Sequence, residues 1–178
     1  MNDYNSIPNE MKQLRRWVLW KTKVTENGKT TKIPINANNG YGAKSNDSST
    51  WVSFNEAMNK VSFYNCKGVG FMLGDGYFGV DIDNAIEDEK LINEFVKTLN
   101  SYTEISQSGK GIHIICKGVL PLGARRKGNI EMYDNARFFA MTGNLYKGTE
   151  SKVEDRTDEV KKLWEKYDKA KAKELKKK

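Results

Sequence analysis

The sequence predicts an α+β fold built around a partly antiparallel sheet. Segments typical of strands and of amphipathic helices are mixed along the 178 residues, and hairpin signals join several of the strands. The chain contains no internal repeat and no linker rich in proline, glycine and serine. A chain of this length can bury one substantial core, with a small accessory lobe beside it.

Residues 1–67 are expected to form this small N-terminal α/β lobe. Its strand candidates are rich in aromatic and β-branched residues, and Asn27-Gly28 is a hairpin signal between them. A serine or threonine within 48–50 can cap the helix that follows a long, polar, glycine-bearing loop, and a loop of this length is typically functional or mobile. The predicted elements are a helix over 9–16, a strand over 16–22, a strand over 30–35 in which Pro34 limits pairing, a loop over 36–50 and a helix over 51–64.

Residues 68–150 are expected to carry the main sheet and to form, with the first lobe, one domain over residues 1–150. The predicted elements are strands over 68–73, 77–83 and 112–117, a helix over 87–100, a short extended piece over 103–106, a basic connection over 118–128 and a hairpin formed by 129–133 and 137–142. Residues 151–178 follow as a lysine-rich C-terminal helix and tail.

The net charge of +7 and the pI near 9.2 indicate a polyanionic partner. Residues 151–178 hold eleven Lys or Arg and seven Asp or Glu, so the tail alone contributes +4 of this charge. A solvated basic tail therefore explains the composition as well as a phosphate-binding groove does. Basicity by itself does not establish a nucleic-acid interface.

Signals for export or membrane insertion are missing from this sequence. Its apolar runs fall far short of the roughly 18 residues needed to cross a bilayer. Its first residues lack the basic-then-apolar form of a signal peptide. Cys66 and Cys116 lie in apolar or strand-like sequence, which is typical of reduced packing thiols. These features predict a cytoplasmic protein with no membrane partner.

The centre of the predicted sheet is the stretch Phe-Gly-Val-Asp-Ile-Asp at residues 78–83. Successive side chains of a strand point to opposite faces, so Asp81 and Asp83 would share one face while their apolar neighbours are buried on the other. Two carboxylates this close raise each other's pKa unless a cation lies between them, and oxygen ligands suit Mg²⁺ or Mn²⁺. An EF-hand calcium loop is excluded, because Ala85 and Ile86 stand where that loop needs an oxygen ligand and a glycine.

Two later strands present functional side chains by the same alternation. His113, the only histidine of the chain, stands between two isoleucines, and Glu131 stands between Ile and Met. If the three strands are neighbours, these two residues meet Asp81 and Asp83 on one open face. Ordinary surface alternation also puts polar residues outside, so no single strand establishes a site. Three acids and the lone histidine together favour a joint site, in which Asp81, Asp83 and Glu131 bind one or two Mg²⁺ or Mn²⁺ ions.

A phosphate-binding feature is predicted in the segment Ser-Gln-Ser-Gly-Lys-Gly-Ile-His that ends at His113. The hydroxyls of Ser106 and Ser108 can donate hydrogen bonds to an anion. Flexible backbone at Gly111 can turn N–H groups toward phosphate, and Lys110 can neutralise charge, while His113 would contact a triphosphate. The segment is not a Walker A loop, because a glutamate and an isoleucine occupy positions that such a loop requires to be Gly and Ser or Thr. The alternative is a hairpin turn with a surface histidine.

Taken together, these motifs resemble the archaeo-eukaryotic primase superfamily, and within it the primase-polymerase domains of phages and mobile elements. The resemblance rests on Asp-Ile-Asp at 81–83, Ser-x-x-Gly-x-Gly-x-His at 106–113 and the later strand Ile-Glu-Met-Tyr at 130–133. It extends over roughly residues 14–145, since the stretch from Lys32 to Trp51 is similar to the region that precedes the catalytic strands in that family.

The resemblance implies an RRM-like mixed or antiparallel catalytic sheet flanked by helices. By position, it assigns metal binding to Asp81, Asp83 and Glu131. It assigns the phosphates of the incoming nucleotide to Ser106, Ser108 and His113.

The activity implied is that of a template-dependent nucleotidyltransferase, a DNA primase/polymerase in the replication of a phage or mobile element. Such an enzyme adds nucleotides to a 3′-hydroxyl by two-metal phosphoryl transfer with release of pyrophosphate. It would use a single-stranded DNA template, a primer, a (d)NTP and Mg²⁺ or Mn²⁺. The expected reaction is elongation of an existing primer. Synthesis of a primer de novo would be an additional activity. A helicase or another replication protein, fused in a longer parent chain or separately encoded, is the expected partner.

Further side chains are candidates for contacts with nucleic acid or nucleotide under this hypothesis. Arg137 can bind phosphate, although it is equally plausible as a surface residue at a strand edge. Trp51 can stack on a base, although an aromatic residue at a helix start is more typical of the core. Tyr133 and Phe138 are alternative sugar-sensing aromatics, which leaves the choice of ribose or deoxyribose open. The candidates for contacts with the DNA backbone are Lys32, Lys44, Arg125, Arg126 and Lys127.

Two other functions are compatible with the same residues. A non-catalytic module that binds single-stranded nucleic acid would need no metal, and a metal-dependent nuclease would shorten DNA in Mg²⁺ or Mn²⁺. The paired acids weigh against the first function, and the Ser/His segment weighs against the second.

Overall fold

The computed structural model describes residues 2–123 and 125–175, with the side chains of the last helix described as far as Tyr167. Residue 1, residue 124 of the predicted basic connection and residues 176–178 of the predicted tail lie outside the described residues. The helices are α1 (Asn9–Lys12), α2 (Phe54–Lys60), α3 (Glu89–Leu99) and α4 (Thr157–Leu175). The strands are β1 (Trp17–Val24), β2 (Thr30–Ile35), β3 (Gly68–Met72), β4 (Tyr77–Ile82), β5 (Thr103–Ile105), β6 (Ile112–Lys117), β7 (Arg126–Lys127), β8 (Ile130–Tyr133) and β9 (Phe138–Ala140). The strands form two antiparallel sheets flanked by helices, which confirms the predicted α+β class.

The first sheet has the strand order β2-β1-β3-β9. β1 and β2 form the predicted hairpin, in which Gly28 has a φ of +78° that glycine adopts without steric strain. Pro34 lies on the edge strand β2, where its missing N–H interrupts no central ladder. Trp17 of β1 packs edge to face on both Phe54 of α2 and Phe71 of β3, and these rings are the centre of the core of this sheet.

Helix α2 begins later than predicted. The hydroxyl of Ser53 accepts a hydrogen bond from the Glu56 N–H, and the Glu56 carboxylate accepts one from the Ser53 N–H. Residues 48–50 form a separate 3-10 turn, so the prediction of a helix cap among them is wrong. Trp51 lies before the helix and is buried, and its indole N–H donates to the carbonyl of Lys44. This tryptophan is a core residue.

The second sheet has the strand order β5-β6-β4-β8-β7, and all of its pairs are antiparallel. The chain runs β4-α3-β5-β6-β8 with β4 and β6 adjacent at the centre, which is the arrangement of an RRM-like sheet. Helices α3 and α4 cover one face, where Phe95 and Trp164 meet the inward side chains Val80 and Ile82 of β4. The polar residues of the strands are on the opposite face.

The hairpin predicted within residues 129–142 is wrong. β8 pairs with β4 in the second sheet, whereas β9 pairs with β3 in the first sheet, so the chain between them crosses from one sheet to the other. Two glycines make room for this crossing. A Cβ atom at Gly70 would lie 2.6 Å from the Phe138 ring, and one at Gly79 would lie 2.4 Å from the Phe139 ring.

The first sheet draws strands from both sides of the predicted lobe boundary at residues 67 and 68, since β3 and β9 pair in it. The first part of the predicted tail also packs into the core, through Val160, Leu163 and Trp164 of α4. The division into lobes and tail as functional units stays a prediction.

Cys66 and Cys116 are free thiols, as predicted. Burial within β6 raises the pKa of the Cys116 thiol to about 12, so this thiol is a packing group. Of the helices that the structure describes, none combines the length and apolar character needed to span a bilayer.

Candidate active site

Five polar side chains form a row across the second sheet, one from each strand. The register pairs Glu104 with His113, His113 with Asp81, Asp81 with Glu131 and Glu131 with Arg126. Directly opposed residues of antiparallel strands project from the same face, so the row lies on the face opposite α3 and α4. The structure thus brings together three of the four residues of the predicted joint site: Asp81, His113 and Glu131.

Asp81 occupies the middle of the row, with about a third of its side chain exposed. Burial raises the pKa of this carboxyl group, and the charges of Asp83 and Glu131 raise it further, against the opposing effect of His113 and Lys32. Its ionised form is therefore unfavourable in the protein alone. A bound cation would remove this cost, which is the electrostatic condition expected of a metal ligand.

Asp83 lies one residue beyond the end of β4 and is exposed. Its carboxylate accepts a hydrogen bond from the N–H of Asn84 at 2.9 Å, and its own N–H donates to the carbonyl of Asn129 at 2.9 Å. The predicted strand stops short of this residue, and Asp83 is not among the residues that line the cleft described below. Its charge nevertheless acts on Asp81.

His113 is buried and is held on three sides. Its Nδ1 lies 3.1 Å from Oε1 of Glu104, its Nε2 lies 3.9 Å from Oδ1 of Asp81, and its ring lies against Phe139 with centroids 4.7 Å apart. Burial alone would lower the pKa of His113, but the hydrogen bond to Glu104 and the charges of both acids outweigh it, and the pKa is raised. The alternative of a hairpin turn with a surface histidine is right about the turn between β5 and β6, but the histidine is buried.

Glu104, at the end of the row, was not among the functional residues predicted from the sequence. Its carboxylate is fully buried and accepts hydrogen bonds from the Tyr102 hydroxyl at 2.7 Å and from the N–H groups of Thr142 and Gly143, besides its contact with His113. One feature of the sequence pointed to Glu104. Glu104 is the single acid of a short extended segment that lies next to the histidine strand, and it alternates with the flanking Thr and Ile.

Glu131 and Arg126 form the other end of the row. The Glu131 carboxylate accepts a hydrogen bond from the Tyr133 hydroxyl at 2.8 Å and lies 3.3 Å from NH1 of Arg126. Arg137 stacks over the Tyr133 ring at 4.6 Å. This end therefore joins an acid, a phenol and two guanidinium groups near the sheet surface.

A cleft of about 830 Å³ opens above the row, between the two sheets. Asp81, His113 and Glu131 line one wall, and β2 with residues 43–46 of the long predicted loop lines the other. The basic side chains in its lining are Lys32, Lys44, Arg126 and Arg137. A cleft with a few carboxylates at its floor and cations around them suits a polyanionic ligand with bound metal.

Residues 106–111 of the segment predicted to bind phosphate form a tight turn between β5 and β6 and do not line the cleft, whereas His113 at its end does. The hydroxyls of Ser106 and Ser108 lie 3.2 Å apart, and the Ser108 oxygen accepts a hydrogen bond from the N–H of Lys110. Gly111 permits a close strand approach, because a Cβ atom there would lie 2.4 Å from the carbonyl oxygen of Ile82. The phosphate-binding role of this segment stays a prediction.

Two of the predicted DNA contacts are engaged elsewhere. Arg125 donates to the carbonyl of Pro121 and pairs with Asp134 at 3.7 Å. Lys127 donates to the carbonyl of Trp164 at 3.0 Å and lies 3.9 Å from the centroid of its ring. Neither residue lines the cleft, whereas Lys32, Lys44 and Arg126 do.

The predicted metal ligands are Asp81, Asp83 and Glu131. Within the described part of the chain, no three His, Cys, Asp or Glu side chains are grouped closely enough to hold a metal ion as they stand. The hard oxygen donors of Asp81 and Glu131 are directly opposed, and Asp83 acts electrostatically on Asp81. In kind and charge, these three acids fit Mg²⁺ or Mn²⁺.

The chain was also compared with known proteins. No family model matches it. It is 33% identical over 146 residues to a protein named DNA primase-polymerase from Nitratiruptor phage NrS-1, a match that covers 75% of this chain and 20% of that protein. The chain therefore spans about a fifth of the length of this relative. The match covers three quarters of this chain, and the second sheet is RRM-like, so the chain belongs to the phage primase-polymerase type of domain in the archaeo-eukaryotic primase superfamily.

Proposed function

We propose that this domain is a template-dependent nucleotidyltransferase that adds nucleotides to the 3′-hydroxyl of a primer on a single-stranded DNA template. The observation that carries the proposal is the in-register row of Asp81, His113 and Glu131 at the floor of a basic cleft. The named activity of the phage relative, a DNA primase-polymerase, supports the same class of reaction. The proposal also includes synthesis of a primer de novo, as an additional activity of the same site.

The three acids Asp81, Asp83 and Glu131 would hold one or two Mg²⁺ or Mn²⁺ ions. A metal bound there supplies positive charge that activates a hydroxyl group and stabilises a departing pyrophosphate. The raised pKa of Asp81 supports this assignment, since burial and two neighbouring negative charges leave its carboxylate in need of a cation.

The remaining side chains of the cleft would orient the nucleotide. Lys32, Lys44, Arg126 and Arg137 surround the acids and would neutralise the charge of a triphosphate or of a DNA backbone. His113 faces the same space through Nε2 and would contact a phosphate oxygen. In phosphoryl transfer, such positioning and charge neutralisation account for most of the catalytic effect.

Template and primer would enter the cleft between the two sheets. Its volume of about 830 Å³ and its lining by β2 and residues 43–46 on the wall opposite the acids support this path. A helicase or another replication protein, in the same longer chain or separately encoded, is included in the proposal as the partner that exposes single-stranded template.

Primer extension tests the proposal. A labelled primer on a DNA template is incubated with Mn²⁺ or Mg²⁺, with and without dNTPs, using the wild type, Asp81→Asn and Asp75→Asn. The control residue Asp75 lies in the turn between β3 and β4 with a φ of +53°, which asparagine also tolerates, and it is exposed. We expect extension that requires metal and dNTPs, a loss of about 100-fold or more in Asp81→Asn, and no change in the control.

Other outcomes would refute the assignment. Shortening of the labelled DNA by metal without dNTPs indicates a nuclease. DNA binding that needs no metal and is unchanged in Asp81→Asn, with no incorporation by the wild type, indicates a binding module.

A further inference from the structure

The buried carboxylate of Glu104 has more hydrogen-bond partners than any packing role at a strand edge requires. Its Oε2 accepts from the Tyr102 hydroxyl at 2.7 Å and from the Gly143 N–H at 2.8 Å. The Thr142 N–H is shared between both carboxylate oxygens, at 3.0 and 3.1 Å. Its Oε1 faces Nδ1 of His113 at 3.1 Å. The side chain has no exposed surface, so water does not compete for any of these contacts.

These contacts determine where His113 carries its proton. The two backbone N–H groups can only donate, and they occupy both oxygens of the carboxylate, which can only accept. The ring nitrogen that faces Glu104 must then supply a proton of its own, so Nδ1 is protonated. The other nitrogen, Nε2, is directed toward Asp81 and the cleft.

The same carboxylate also fixes the ring in space. Thr142 and Gly143 follow β9, the strand that has crossed from the second sheet to the first. Phe139 of that strand lies against the imidazole ring with an interplanar angle of 33°. Glu104 thus holds both the histidine and the chain that covers it, and the ring cannot turn over without breaking these contacts.

We propose that Glu104 is a positioning residue that holds the proton of His113 on Nδ1 and presents Nε2 to the cleft. A phosphate oxygen only accepts hydrogen bonds, so contact of Nε2 with nucleotide phosphate requires a second proton on Nε2. That contact rests on the proposed function, whereas the proton on Nδ1 does not. Glu104 itself touches neither the cleft nor any ligand bound in it. It acts through the histidine.

Glu104→Gln tests this proposal, because the amide is isosteric but has a donor and an acceptor. The Tyr102 hydroxyl and the Gly143 N–H hold the oxygen of the new side chain at the Oε2 position. The NH₂ group then faces Nδ1, which must accept, so the ring can carry a proton only on Nε2. The same logic makes the amide variant of an orienting acid select the wrong histidine tautomer in hydrolase triads.

The matched control is Tyr102→Phe. It removes another donor from the same buried carboxylate at Oε2, and it leaves the contact between Glu104 and His113 in place. Glu104→Gln loses the contact of the Thr142 N–H with Oε1, and Tyr102→Phe loses that of the hydroxyl with Oε2, so each variant loses one buried hydrogen bond. Only Glu104→Gln is expected to change the histidine.

The measurement is nitrogen NMR of the imidazole ring, which needs no residue assignment because His113 is the only histidine. We expect a protonated Nδ1 in the wild type and in Tyr102→Phe, and a proton on Nε2 with bare Nδ1 in Glu104→Gln. A wild-type ring with bare Nδ1 overturns the proposal, and this result needs no variant that folds. A ring in Glu104→Gln that keeps the wild-type proton pattern overturns it as well.

Kinetics give the second readout. In Glu104→Gln, Nε2 keeps a proton but the ring can no longer carry a positive charge, because Nδ1 must accept. The hydrogen bond to bound nucleotide is then weaker, so the KM for dNTP is expected to rise by about tenfold, with a smaller change in kcat. Tyr102→Phe should leave both constants near those of the wild type. If the wild type incorporates no nucleotide, the proposed function fails, while the NMR result still decides the role of Glu104. Equal KM values in the two variants would refute the role in nucleotide positioning.

Discussion

The row across the second sheet has a closed end and an open end, and they differ in what their charges contact. At the closed end, Glu104 has no exposed surface, and the side chain of His113 is 8% exposed. At the open end, Arg126 is 68% exposed, and its ion pair with Glu131 is in contact with water. Asp81 stands between the two ends: it lies beside the buried His113, and about a third of its side chain is exposed.

This difference separates groups that hold the site from groups that meet a ligand. Charges at the closed end are satisfied by the protein itself, so removing one leaves buried partners unpaired. Charges at the open end are only partly neutralised, so removing one costs little stability but changes what the cleft attracts. Substitutions at the two ends and in the middle of the row can test this separation.

The largest loss of stability is expected at the closed end. Glu104→Ala leaves His113, the Tyr102 hydroxyl and two backbone N–H groups without their buried acceptor. We expect a loss of about 3–5 kcal/mol in the free energy of unfolding, measured by urea denaturation. Glu26→Ala, in the exposed hairpin turn, should cost less than about 0.5 kcal/mol. Equal losses in the two variants would mean that the closed end is not a stabilising unit.

In the middle of the row, we expect a smaller change in stability, and here the substitution should stabilise the protein. The folded-state pKa of Asp81 is raised, so its contribution to stability is present below its unfolded pKa and is lost as pH rises through the folded pKa. Asp81→Asn does not titrate and escapes this loss. With chelator present, the variant should match the wild type near pH 4 and melt a few degrees higher at pH 7.

Bound metal should reverse the order of the two melting temperatures. Addition of Mn²⁺ at pH 7 is expected to raise the Tm of the wild type and to leave that of Asp81→Asn nearly unchanged, because binding to the native state stabilises it. A wild type that melts above the variant in chelator at pH 7 would contradict the electrostatic assignment of Asp81.

The smallest effect on stability is expected at the open end. Arg126→Ala removes an exposed ion pair and should change the free energy of unfolding by less than about 0.5 kcal/mol. Its effect should be seen in DNA binding, where the slope of log K against log salt falls by about one for each lost phosphate contact. Lys97→Ala, on α3 away from the cleft, serves as the control. An unchanged slope in Arg126→Ala would place the DNA outside the cleft.

Strand alternation was enough to predict that the three central polar residues share one face of the sheet. The face that a side chain takes depends on its own strand, so Asp81, His113 and Glu131 could be placed on one side from short local patterns. Their adjacency depended on strand order, and the resemblance to primase-polymerase domains supplied the RRM-like sheet. The register then set all three directly opposite one another.

The errors arose where distant parts of the chain decide the outcome. The hairpin predicted within residues 129–142 failed, because Gly70 and Gly79 on other strands offer room for Phe138 and Phe139. No local pattern reveals this competition. The start of α2, in contrast, could have been predicted, since Ser53 and Glu56 have the spacing of a capping box.

Glu104 was missed for a related reason. A carboxylate in a three-residue strand is ordinarily taken for a surface group, and its burial depends on two N–H groups almost 40 positions further along the chain. The segment from Ser106 to Gly111 had the composition of an anion loop. Its closed geometry follows from the pairing of β5 with β6, which composition does not reveal.

The bare backbone at Gly79 has an evolutionary consequence. The Phe139 ring rests in the space that any other side chain at position 79 would fill, and the same ring lies against His113. A relative with a larger residue at position 79 would need a smaller one at 139, and its imidazole would then lose that aromatic neighbour. Substitutions at these two positions should therefore be correlated among homologous domains.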